Sequence, residues 1–122
     1  MTEVIYNPDT LDLIVTGHAG SGKPGEDVVC AAVSTLTNTL EQVFLVQDQM
    51  EGHIMRKAGN EKNGNQPIFH AWIPKGSPLL AQGIVVMETI ATGLLALSEQ
   101  FPDHVSFDLR ERGEEENNGE PV

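Results

Sequence analysis

Residues 11–40 read LDLIVTGHAGSGKPGEDVVCAAVSTLTNTL, and the fold turns on where their hydrophobic period changes. Over Leu11–His18 the side chains alternate, with Leu11, Leu13 and Val15 on one face and Asp12, Ile14, Thr16 and His18 on the other, which is the period of a strand. Ala19 to Glu26 then supplies three glycines and Pro24 and no side chain able to anchor a core, so it reads as a loop. From Asp27 the apolar step becomes three and four. Val29, Ala32, Val33, Leu36, Leu40, Val43 and Phe44 predict a helix of about five turns ending near Gln49.

Outward from this stretch the same two periods alternate. Thr2 to Tyr6 reads as a strand, joined to the next by the turn residues of NPDT. Past the helix, Gly52 to Arg56 predicts a short strand, Ala58 to Gln66 a polar turn, and Pro67 to Ile73 another strand. Ser77-Pro78 has the form of an N-cap followed by proline in the first turn. Gly83, Val86, Met87, Ile90, Leu94, Leu97 and Phe101 stripe the second helix, and Pro102 stops it. Val105, Phe107 and Leu109 alternate as a last strand. The expectation is an α+β fold in the order β-β-α-β-β-α-β, with two helices packed on one mixed sheet. Residues 1–110 form the single domain, and the Glu-, Asn- and Gly-rich residues 111–122 read as a disordered acidic tail.

The chain carries 18 acidic and 7 basic residues, a net charge of -11, and residues 1–110 alone hold thirteen acids against six bases. That balance argues against a nucleic-acid partner and favours a basic peptide or protein. No uninterrupted apolar run approaches the ~20 residues that span a bilayer; the longest, Gly83 to Leu97, is broken by Glu88 and Thr92. No signal-peptide pattern opens the sequence and there is one cysteine, so a cytoplasmic protein without membrane contact is expected. His18, His53, His70, His104 and Cys30 lack the close spacing of metal ligands, so no metal or cofactor is expected.

Two chemistries compete for Gly17 to Ser34. Gly17-His-Ala-Gly-Ser-Gly-Lys23 matches the first seven positions of a phosphate loop, but Pro24 replaces the magnesium-binding hydroxyl and has no N–H to offer a phosphate. The other chemistry is nucleophilic. Cysteine attacks as thiolate, and with Asp27 as N-cap, Cys30 falls at the third helical position, where backbone N–H groups and the helix dipole favour negative charge. An imidazole accepts the thiol proton and returns it to a leaving group, and the loop can fold back to bring His18 to Cys30. Ser34, four residues on, shares the face of Cys30. Asp27 either caps the helix or orients His18. The plainer alternative makes Cys30 a small buried hydrophobe and His18 a strand-end polar residue. Phe69, Trp72 and Met87 read as core residues that could also line an aromatic pocket, and His70 as a sheet-face residue.

The stretch from Gly17-His18-Ala19 through Gly-Glu-Asp-Val-Val-Cys-Ala-Ala-Val-Ser, residues 25–34, resembles the signature of the ribosomal-processing cysteine protease (Prp, or YsxB-like) family. The resemblance implies a His18/Cys30 catalytic dyad, with Gly17, Asp27 and Ser34 as further active-site positions. It also implies a thiol protease of ribosome biogenesis, a homodimer that removes the N-terminal extension of a large-subunit ribosomal protein by cutting after aromatic residues. The loop between histidine and cysteine is then a mobile cover, with Gly20, Gly22 and Gly25 as hinges. The rival expectation is a non-catalytic ribosome-assembly or peptide-binding protein that holds the same basic segment without cutting it.

Overall fold

The computed structural model describes residues 1–18, 27–60 and 64–110. The proposed lid Ala19–Glu26, including Lys23 and Pro24 of the phosphate-loop match, lies outside the described residues, as does the acidic tail. The expected element order holds: β1 Thr2–Asn7, β2 Asp12–Thr16, α1 Val28–Val46, β3 His53–Lys57, β4 Ile68–Trp72, α2 Leu80–Gln100 and β5 Val105–Leu109. The sheet has five strands in the order β3-β4-β2-β1-β5. It is mixed, since β5 runs parallel to β1 while the other pairs are antiparallel.

Strand alternation decides which face the helices cover. Val4, Tyr6, Leu13, Val15, Phe69, Ala71 and Val105 point to one side and are buried. Onto them α1 lays Val29, Val33, Thr37, Leu40 and Phe44, and α2 lays Gly83, Met87, Ile90, Ala91 and Leu94. Both helices are long and apolar enough, by length and composition, to cross a membrane. Counting only uninterrupted runs missed this, yet each helix turns a stripe of buried side chains into this core. The opposite face of the sheet carries no helix among the described residues. There His70 Nε2 meets Asp12 Oδ1 at 2.6 Å, and Trp72 stacks on His53 with ring centroids 5.2 Å apart.

Three boundaries differ from the sequence reading. Strand β2 starts at Asp12 because Leu11 takes a left-handed φ of 55° to close the turn. Helix α1 ends at Val46, and a single 3-10 turn, Asp48–Met50, follows. Ser77 does not cap α2, whose N-cap is Leu79, without a side-chain bond. Instead the Ser77 hydroxyl donates to the Met50 carbonyl at 2.6 Å and accepts the Leu79 N–H at 3.1 Å. That tertiary bond ties the turn before α2 to the end of the first helical segment.

Candidate active site

A cleft of about 430 Å³ opens at one end of the sheet, under the first turns of α1. The start of β1, the ends of β2 and β3 and the start of β4 meet there, so four strands furnish one wall and one helix the other. Helix α1 contributes Cys30, Val33, Ser34 and Thr37. Their spacing of three and four residues puts all of them on one helical face.

Asp27 is the N-cap of α1. Its Oδ1 accepts the Cys30 N–H at 2.9 Å, and its carbonyl accepts the Ala31 N–H at 3.0 Å. This is the first of the two roles that the sequence left open. It fixes Cys30 at the third position of the first turn, at the positive end of the helix dipole. It also occupies the cysteine's own N–H, which therefore does not face a substrate oxyanion. Cys30 is half-buried, packed against the core on one side and open to the cleft on the other.

His18 reaches the same cleft from the end of β2 and is exposed. The residue before it explains its placement. Gly17 has a φ of +86°, its N–H bonds the Pro67 carbonyl at 3.1 Å, and a Cβ there would collide with the Met1 carbonyl oxygen. Only glycine turns the chain at this point without displacing the N-terminal strand. His18 also borders a second hollow lined by Gly59, Gly64, Asn65 and Gln66.

Of the residues that the sequence singled out, His18, Cys30, Ser34 and Gly17 thus converge on one cleft, and Asp27 holds the helix start behind them. Phe69 is buried at 5% exposure and yet lines the cleft, so it serves core and pocket together. Met87 is wholly buried in the core, and Trp72 stands on the opposite face of the sheet with His53 and His70. Among the described residues no group of three or more His, Cys, Asp and Glu converges as a metal site.

Sequence reasoning missed Thr2, Thr37, Arg56 and Lys57. The Arg56 guanidinium lies 4.7 Å above the Phe69 ring, and it donates to Glu41 Oε1 and to Asn38 Oδ1, each at 2.9 Å. No acidic side chain is among the described lining residues, whereas Arg56 and Lys57 both are. The acidic body was expected to attract a basic substrate; among the described residues the cleft wall carries Lys57 and the Glu41-paired Arg56 beside apolar side chains.

A helix-borne thiol and a strand-end imidazole opening into one cleft of an α+β sheet place the chain in the class of small cysteine hydrolases. The family model of the cysteine protease Prp matches residues 1–106, and the chain belongs to that family. It is a cysteine protease. Its fold is similar to that of the ribosomal processing protease Prp from S. aureus in complex with a covalently linked product peptide. The TM-score is 0.69 at 18% identity, over 90% of this chain and 100% of that one. The same S. aureus protease with a substrate peptide gives a TM-score of 0.60 at 16% identity, over 89% and 97% of the two chains. SMU.848 from Streptococcus mutans gives 0.65 at 25% identity, over 91% and 93%. No curated protein matches the sequence significantly.

Proposed function

We propose that this protease removes the N-terminal extension of a large-subunit ribosomal protein, with Cys30 as nucleophile and His18 as general base and acid. The observation that carries the reading is the convergence of His18 and Cys30 on one cleft in a chain whose family is that of the Prp proteases. The S. aureus neighbours are ribosomal processing proteases holding substrate and product peptides, which supports the same substrate class here.

In this mechanism His18 takes the Cys30 thiol proton, and the sulfur attacks the scissile carbonyl carbon. The tetrahedral oxyanion accepts a hydrogen bond from the Ser34 hydroxyl. As the C–N bond breaks, His18 delivers the proton to the leaving amine and a thioester remains on Cys30. Water, deprotonated by His18, then attacks the thioester; the acid product leaves and the thiol recovers its proton. The enzyme acts in the cytoplasm as a homodimer, a state that sedimentation equilibrium checks directly.

The test uses a peptide spanning the extension junction, followed by mass spectrometry under reducing conditions. Wild type is expected to cut once, and Cys30→Ala and His18→Ala to be slower by about 10³-fold or more. An intact peptide with wild type sinks the substrate assignment, and binding without cleavage favours a holding protein instead.

A further inference from the structure

A second hollow, of about 380 Å³, lies along the same helix, lined by Glu41, Phe44, Leu45, Gly52, Ile54 and Arg56. Arg56 also lines the catalytic cleft, so the two hollows are neighbours along one crevice between α1 and β3. The divider is fixed in place: the bonds to Glu41 and Asn38 use two of the guanidinium's five N–H donors and hold it against Phe69. Strand β3 is the edge of the sheet, paired only with β4, and its other side meets no strand among the described residues. An edge strand of this kind offers alternate N–H and C=O groups to an added strand. Leu45, which lines the distal hollow, is 68% exposed.

We infer that the α1–β3 crevice is an extended substrate track. The substrate main chain pairs with the outer edge of β3, and the distal hollow takes an apolar side chain against Phe44, Leu45 and Ile54. The occupant is the peptide being cut, because the track is continuous with the cleft that holds Cys30. This inference rests on the substrate reading above. The helix sets the scale. Glu41 and Leu45 follow Cys30 by eleven and fifteen residues, or roughly 16–22 Å of helix. An extended chain covers that distance in about five to seven residues. Recognition therefore reaches that far from the scissile bond on one side, and the free N–H groups of Arg56 meet a substrate carbonyl on the way.

The experiment compares two peptides with the same scissile junction, one reaching three residues on each side and one reaching eight. A leucine occupies positions five to seven of each arm in the longer peptide. The long peptide is expected to have a kcat/KM about tenfold or more above the short one, through KM, as one buried apolar side chain provides. Alternate backbone N-methylation of the productive arm removes the gain. Leu45→Asp, on an exposed position that leaves the core intact, brings the long-to-short ratio near one, while Val46→Asp, one residue outside the track, keeps it. Equal kcat/KM for both peptides, or a wild-type ratio in Leu45→Asp, overturns the track and leaves the protease assignment standing. Insensitivity to N-methylation overturns the pairing with β3. Cleavage of neither peptide overturns the substrate reading and the track with it.

Discussion

The chain uses the same unit twice, a hairpin followed by a helix, and the two copies begin their helices in opposite ways. In the first, β1-β2-α1, a buried carboxylate caps the helix by accepting the N–H of Cys30. In the second, β3-β4-α2, no side chain caps the helix, and Ser77 anchors the preceding turn to the Met50 carbonyl. The first start positions a chemical group at the protein surface, and the second only packs. A cap directed at its own backbone leaves the first turn open to a ligand, whereas an anchor directed across the core closes the turn.

That contrast can be broken deliberately, and the largest effect lies at the hinge of the first unit. Gly17→Ala forces a Cβ into the Met1 carbonyl at a positive φ, so we expect a loss of about 3 kcal/mol in denaturant unfolding and a misplaced His18 with much lower activity. Next is Ser77→Ala, which orphans the buried Met50 carbonyl and costs about 2 kcal/mol with kcat/KM unchanged. Asp27→Ala costs less stability, about 1 kcal/mol, but lowers kcat/KM because it frees the first turn that carries Cys30. Should the serine variant lose activity, or the aspartate variant keep all of it, the division of labour between the two units fails.

The smallest effect lies where the units meet. Tyr6 of β1 has a buried hydroxyl without a hydrogen-bond partner among the described residues. Burial first, and the charge of Glu88 on α2 second, push its phenol from 10.0 up to about 12. The neutral phenol is the form that the fold favours. The stability it contributes is complete below about pH 10 and is lost as pH rises through about 12. Tyr6→Phe should therefore leave neutral-pH stability within about 1 kcal/mol of wild type and flatten the alkaline limb of a Tm-against-pH curve. A steeper alkaline limb in the variant contradicts this account.

The fold was legible because local period and burial agree in the central strands and the helices, from the alternation of Leu13 and Val15 to the stripe of Val29, Val33, Leu40 and Phe44. The start of α2 was misread because Ser77 carries the residue type of a cap. What redirects its hydroxyl is Met50, which only tertiary folding brings near. The candidate site was half legible: His18 and Cys30 flank one loop, so a single stretch of sequence displays them together. Phe69 could be named from its aromatic side chain, but Arg56 and Lys57 arrive through the β3–β4 ladder, in which Arg56 stands opposite Phe69, and nothing local marks them. Net charge is a coarser quantity than the lining of the cleft. It sums the whole surface, while a substrate meets only the few side chains that line the cleft.

The crossing of Met1 over Gly17 has a practical side. Thr2 lines the cleft, and its N–H is held by the His104 carbonyl at 2.8 Å, so the amino end of the chain is fixed at the cleft that Cys30 also lines. Any purification tag or fusion partner placed before Met1 emerges at the rim of the cleft, within reach of its own enzyme. A segment added there therefore starts next to Thr2, one of the residues that line the cleft. The end of β5 is placed differently: Leu109 pairs with Tyr6, at the other end of β1 from Thr2 and the cleft.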